Sequence, residues 1–234
     1  MTARGLIFDY GGTLDTKGCH WGKVLWHAYE QSHVPVGEEA FRNAYVHGER
    51  TLATNRIITP QTTFRETLSE KIKLQLEWLE THGEDDGLAT EYHDAILERA
   101  YSVAKRNTAE SAEVLSLLAA KYPMVLVSNF YGNIATVLRE FGFEGIFRHV
   151  IESAVVGIRK PDPRIFALGC EEMGMKAEDI MVVGDSYDKD ILPANSIGCR
   201  TAWIKGEGWT DEEIAQPVAD HIIYELSELK GILL

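Results

Sequence analysis

Several acidic residues and one lysine stand where apolar runs of this chain end. Leu6-Ile7-Phe8 runs straight into Asp9, and Gly11, Gly12 and Thr13 follow. Val125-Leu126-Val127 ends in Ser128-Asn129, and Ile180-Met181-Val182-Val183-Gly184 ends in Asp185-Ser186, with Asp188 and Asp190 just beyond. Between these last two runs lies Lys160, in Lys160-Pro161-Asp162-Pro163. Brought together, Asp9, Asp185 and Asp190 would repel one another and raise each other's pKa. A hard divalent cation resolves that conflict, because Mg²⁺ takes oxygen ligands: one or two carboxylates, water and a substrate phosphate. Asp9 then stays ionised and can attack phosphorus, while the ion and Lys160 neutralise the phosphoryl oxygens.

The elements that must gather these groups are short apolar strands joined by helices. The run into Asp9 reads as a buried parallel strand, and the glycines let the chain turn sharply off its end. Further strands are expected at Met124–Ser128, His149–Glu152, Ile180–Gly184, Thr201–Ile204 and His221–Tyr224. Helices are expected between them, over about Ala109–Ala120, Asn133–Phe141, Pro163–Met173 and Asp190–Ser196, with one more at the end. This alternation predicts an α/β, doubly wound (Rossmann-like) parallel sheet, whose strand ends share one edge where ligands bind. From His20 to about Asn107 the texture is helical instead. Helices are expected at His20–Ser32, Glu38–Leu52, from a start signal at Thr59-Pro60 through Leu79, and at Leu88–Lys105, with a break at Gly83–Gly87. The implied division is a core of residues 1–15 and 106–234 with a helical bundle, 16–105, inserted as a cap.

The 234 residues are 45% hydrophobic and carry 23 Lys plus Arg against 36 Asp plus Glu, a net charge of −13. That balance argues against nucleic acid or an anionic membrane as partner. Cys19, Cys170 and Cys199 are odd in number and widely spaced, the pattern of free thiols in a reducing compartment. A first strand beginning by about Gly5 leaves no room for a signal peptide, and no apolar run reaches the ~18 residues of a membrane span. The cytoplasm is the expected location, and a monomer or homodimer the expected state.

Asp9-x-x-Gly12-Thr13-Leu14, Ser128-Asn129, Lys160-Pro-Asp-Pro and Gly184-Asp185-Ser186-x-x-x-Asp190 resemble, in order, the four motifs of the haloacid dehalogenase superfamily. The Lys-Pro-Asp-Pro-x-x-Phe string and the insertion after the first motif resemble its phosphoglycolate-phosphatase-like members. The resemblance implies Asp9 as the nucleophile that forms an aspartyl-phosphate. It implies Asp9, Asp185 and the carbonyl of Gly11 as Mg²⁺ ligands, with Asp190 supporting the metal. Thr13 and Ser128 would hydrogen-bond the phosphoryl group, Lys160 would tether nucleophile and phosphate, and Asn129 and Gly12 would complete the substrate contacts. The substrate implied is a small phosphorylated metabolite. Asp190 fits the family register better than Asp188, and Asp162 is expected to start the next helix.

One position departs from the pattern. The superfamily's phosphatases carry a second Asp two residues after the nucleophile, to protonate the leaving oxygen; this chain has Gly11. Losing a positioned acid costs ~10²–10⁴ in rate. Asp15 and His20, just after the motif, are candidate substitutes, and their plainer readings are a turn residue and a helix start. Trp21, Tyr45, His47 and Arg50 are candidate cap contacts to substrate. Three alternatives remain: a 2-haloacid dehalogenase, which needs no metal; a phosphonatase-like hydrolase, which wants a cap lysine, where Lys17 and Lys23 lie near the hinge; and a catalytically impaired member binding a phosphate ligand or a partner.

Overall fold

The fold is described here by a computed structural model covering residues 3–83, 87–210 and 214–234. Six strands form one parallel sheet: β1 (Gly5–Phe8), β2 (Met124–Ser128), β3 (His149–Glu152), β4 (Ile180–Gly184), β5 (Arg200–Ile204) and β6 (His221–Ile223), in the order β3-β2-β1-β4-β5-β6. All four residues of β1 are buried, as a central strand covered on both faces requires. Alternation along it divides the core. Leu6 and Phe8 join a large apolar cluster with Leu126, Met181 and Val183, while Ile7 faces the other way, onto Val125, Val127 and Val182. Asp9 emerges between β2 and β4, where the strand order changes direction, the place where open α/β sheets bind ligands.

The insertion after β1 contains α1 (Trp21–Gln31), α2 (Glu38–Thr54), α3 (Phe64–Thr81) and the first half of α4 (Leu88–Ala119). The strand positions agree with the sequence reading to within a residue, and three helical expectations need correction. First, the start signal at Thr59-Pro60 makes a turn, and α3 begins after Thr63, whose side chain caps it in a reciprocal box with Glu66. Second, the expected helices at 88–105 and 109–120 are one continuous helix of 32 residues. The polar stretch that suggested a gap is occupied with buried acceptors: Asn107 donates to the Asp15 carbonyl (3.2 Å), Ser111 to the Leu14 carbonyl (2.8 Å) and Thr108 back to Ala104 (2.8 Å). Third, the segment from Asp190 does not begin a helix; Tyr187–Ile191 is a wide π-helical turn, and α8 follows at Leu192–Ser196. The expected break at Gly83–Gly87 falls in part on residues 84–86, outside the described residues.

On the core side, α5 (Ile134–Glu140) follows β2, a short α6 (Ser153–Val156) that the sequence did not suggest follows β3, α7 (Arg164–Met173) precedes β4, and α9 (Leu229–Leu233) ends the chain. The three cysteines are free thiols. Among the described residues no helix is long and apolar enough to cross a membrane. Replacing the α3 cap tests the corrected start: Thr63→Ala should lower stability by about 1 kcal/mol in urea denaturation, whereas Thr59→Ala should change it little.

Candidate active site

The three central strands, β1, β2 and β4, each deliver groups to the cleft from their ends. From β1 comes Asp9, 6% exposed. Its Oδ1 accepts from the Lys160 ammonium at 2.5 Å, and that ammonium also donates to Asp190 Oδ1 at 2.6 Å. Asn129, at the end of β2, fixes the lysine's backbone in both directions: Lys160 N–H donates to Asn129 Oδ1 (3.0 Å) and Asn129 Nδ2 donates to the Lys160 carbonyl (3.1 Å). Ser128 is buried beside it and lines the cleft. Burial works to lower the pKa of Lys160, and the Asp190 and Asp9 carboxylates more than offset it, so the ammonium is held protonated.

After β4 the π-helical turn bends the chain back, so that Asp190 is 1% exposed and receives the Ser186 N–H (3.1 Å). Asp188 on the same turn is exposed and lines no part of the cleft. Two glycines are obligatory for this packing. A Cβ on Gly184 would lie 2.4 Å from the Asp190 Cβ, and one on Gly12, at φ +96°, would lie within 2.5 Å of the Asp185 carboxyl group. Gly11 sits in the open, with Trp21 Cδ1 4.0 Å from where its Cβ would be.

One carboxylate oxygen from each of Asp9, Asp185 and Asp190 falls within 4.8 Å of the others. Burial, then Asp9 and Asp190, push the Asp185 carboxyl well above the usual carboxylate range, and burial raises Asp190 to about 6 despite Lys160. Ionised together, three acids against one ammonium would leave two negative charges uncompensated. An all-oxygen set with that surplus suits a hard divalent cation.

Thr13 differs from its expected role. It is 1% exposed, does not line the cleft, and its hydroxyl donates to Asp185 Oδ1 (3.1 Å) and, more weakly, to Asp9 Oδ2 (3.4 Å). It orients two carboxylates and does not face the space a phosphoryl group would enter. Asp15 is likewise turned inward: it is fully buried, with Oδ1 accepting from Gly12 N–H (2.7 Å) and Oδ2 from the Trp21 indole (2.9 Å). It braces the turn after β1 and has no oxygen free to act on a ligand. Asp162 accepts the Arg164 N–H at the head of α7.

Of the four candidate contacts on the inserted helices, Trp21 and Tyr45 line the cleft, whereas His47 and Arg50 are exposed on α2 and lie outside it; His20, the candidate substitute acid, lines the cleft as well. Sequence reasoning missed Glu49, Lys71 and Tyr131. Lys71 of α3 is 8% exposed in the pocket, 2.5 Å from Glu49 Oε1, and Tyr131 from the core donates to Glu49 Oε2 (2.8 Å). The available signal was a lysine on the apolar stripe of α3, between Leu68 and Ile72. Lys17 and Lys23, the cap lysines considered from sequence, pair instead with Glu110 and with Glu38 outside the pocket.

A doubly wound sheet with a lysine-bridged acidic cleft at its central strand ends, roofed by a helical insertion, defines a Rossmann-like α/β architecture. Residues 3–198 match the haloacid dehalogenase-like hydrolases, and the chain belongs to that family. It is 32% identical to the glyceraldehyde 3-phosphate phosphatase of Pyrococcus furiosus over 91 residues, 38% of each chain. To haloacid dehalogenase-like hydrolase domain-containing protein 3 it is 33% identical in Danio rerio over 46% of this chain and 44% of that one, and 27% identical in Mus musculus over 82% and 76%. The first two matches span about two fifths of those relatives' lengths. Among solved structures, a dehalogenase with an intermediate complex superposes with a TM-score of 0.66 at 19% identity, covering 99% of this chain and 97% of that one. A predicted phosphoglycolate phosphatase from Haemophilus somnus 129PT gives 0.58 at 19%, covering 100% and 99%. At such identities the likeness is one of fold.

Burial moves Asp15 from 3.8 to about 7, against the hydrogen bonds from Gly12 and Trp21 that pull it down. The folded protein therefore keeps a proton there that the unfolded chain loses near pH 4, so this contribution to stability is full below about pH 4 and lost by about pH 7. Denaturation curves of the wild type and Asp15→Asn should diverge accordingly. Relative to the variant, the wild type should lose on the order of 2–4 kcal/mol as pH rises through that window, and a pH-independent difference would show that Asp15 is ionised throughout.

Proposed function

We propose that the protein is a Mg²⁺-dependent phosphohydrolase acting on a small phosphorylated metabolite through an aspartyl-phosphate on Asp9. The observation that carries this reading is the convergence of Asp9, Asp185 and Asp190 around the Lys160 ammonium, with carboxylate oxygens within 4.8 Å of one another. Asp9, Asp185 and the Gly11 carbonyl would hold the ion, with Asp190 behind them. Bound there, it neutralises phosphoryl oxygens. Asp9 attacks phosphorus in line; Lys160 keeps its carboxylate aimed and balances charge on the phosphoryl group; Ser128 is positioned to hydrogen-bond that group. Thr13 acts one step back, holding Asp9 and Asp185. The relatives named as phosphatases of glyceraldehyde 3-phosphate and phosphoserine support a small phosphoester as substrate.

The division into a core of 1–15 and 106–234 and a cap of 16–105 belongs to the same proposal, with its second boundary inside α4. The position of Lys71 favours a second reading, the phosphonatase-like one that wants a cap lysine. It ranks below the first for a physical reason. Burial works to lower the pKa of Lys71, but Glu49 more than offsets it, so the amine stays protonated and cannot act as a nucleophile.

Phosphate release from a panel of phosphorylated metabolites, with Mg²⁺ and with chelator, tests the reading. Asp9→Asn should lower turnover by ~10³-fold or more, and Asp185→Ala should raise the Mg²⁺ concentration needed for half-maximal activity. Metal-independent chloride release from 2-chloroacids, with no phosphatase activity, would overturn it.

A further inference from the structure

His20 stands at the cap side of the pocket with its ring fixed from several directions. As the N-cap of α1 it accepts the Gly22 N–H on Nδ1 (3.0 Å), and its own backbone N–H donates to the Glu207 carbonyl (2.8 Å). The ring lies against Trp209 (centroids 5.1 Å apart) and Tyr45 (5.9 Å). Trp209 can occupy this place only because residue 22 has no side chain; a Cβ on Gly22 would sit 2.0 Å from the indole. With the Nδ1 lone pair committed to the helix, a neutral imidazole carries its proton on Nε2. Burial, and then Lys189, lower its pKa to about 4, with Glu49 working against them and Lys71 and Arg42 adding to them. The ring lines the same pocket as Asp9.

The carboxyl groups around it are engaged. Asp9 and Asp190 hold Lys160, Asp185 accepts from Thr13, and Glu49 is shared by Lys71 and Tyr131. Position 11 offers no side chain, and Asp15 is sealed behind the turn.

We propose that His20 contacts the substrate as a neutral hydrogen-bond donor, its Nε2–H directed to the leaving oxygen of the phosphoester, and that the pocket therefore favours esters with weakly basic leaving groups (aryl, enol and acyl phosphates) over alkyl phosphates. This rests on the phosphohydrolase reading. An Asp9 oxygen forms the new bond to phosphorus as the bond from phosphorus to the leaving oxygen breaks. The leaving group departs as its anion, stabilised by the Nε2–H bond, and takes its proton from solvent after release. Water then hydrolyses the aspartyl-phosphate. His20 never gives up its proton, because doing so would leave an imidazolate in a buried pocket. A strongly basic alkoxide gains too little from such a hydrogen bond and departs slowly without a positioned acid.

The test uses the Mg²⁺-loaded full chain and a series of phosphate esters from p-nitrophenyl through phenyl to glycerol phosphate. For the wild type, kcat/KM should fall by at least ~10² across the series. His20→Asn keeps a good helix cap but removes the ring donor, and should lower kcat/KM for the aryl esters by ~10–10³, mainly through kcat. Independently of turnover, ¹⁵N shifts at neutral pH should report the Nε2-protonated tautomer. In Asp9→Asn, phenyl phosphate should move the His20 Nε2–H resonance. An Nδ1-protonated or doubly protonated ring, an unchanged kcat/KM in His20→Asn, or a shallow leaving-group dependence would each overturn the proposal. If no ester releases phosphate while the Nε2 tautomer is seen, the phosphohydrolase reading fails, and the leaving-group role fails with it.

Discussion

The Lys160 ammonium lies between two buried carboxylates, 2.5 Å from Asp9 and 2.6 Å from Asp190, with almost none of its side chain in contact with solvent. Charges so desolvated are tolerable only as a set, and losing one member of a buried pair typically costs 3–5 kcal/mol. This requirement disciplines the surrounding backbone. Asn129 at the end of β2 clamps the lysine's own peptide groups, the π-helical turn folds Asp190 back toward β1, and Gly184 gives that turn the space it needs. A sheet with β1 between β2 and β4 is the arrangement that lets the three segments meet. Half-buried Asp185 adds a third carboxyl group beside the set, and an oxygen from each of the three lies close enough to the others to hold a metal ion.

Much of the sheet was legible in the sequence because buried parallel strands are short, apolar and bounded by polar residues, and β1, β2 and β4 fit that description closely. The grouping of Asp9, Lys160 and Asp190 followed from strand-end placement. What escaped were features set by side-chain direction. Asn107 and Thr108 read as a break between helices because their partners, the carbonyls of the turn after β1 and of Ala104, are invisible in a linear pattern. Thr13 read as a ligand contact because spacing does not say that its hydroxyl faces the carboxylates. Lys71 was passed over because a lysine on an amphipathic helix ordinarily lies at the water's edge, and here the roof of a pocket takes that edge's place. His47 and Arg50 sit on the same helix as Tyr45 and Glu49, on a face that only the packed structure distinguishes.

The roof has its own electrostatic logic. Lys71, Glu49 and the Tyr131 hydroxyl form a partly buried polar unit that joins the inserted helices to the loop after β2. Such a unit contributes little to stability compared with apolar packing, so its presence is better explained by the pocket it borders than by the fold. Arg159 and Lys189, both exposed, stand at the rim of the same cavity. On a protein with a net charge of −13, local cations of this kind let an anion approach that the molecule as a whole would repel.

The 32 residues of α4 extend roughly 48 Å at 1.5 Å per residue. They belong at one end to the insertion and at the other to the layer beneath the sheet, with no interruption between. A rod of this kind transmits torque. Any swing of the roof away from the cleft cannot pivot freely at the second crossover, as two loosely tethered lobes would; it must flex the rod or turn the roof about the rod's axis. Asn107 and Ser111 are bolted to the carbonyls of Asp15 and Leu14, so the rod is anchored, just past its middle, to the bend that carries the Asp9 loop. Mechanical load on the distal bundle would therefore be felt at that bend, a lever whose fulcrum lies beside the reactive carboxylate.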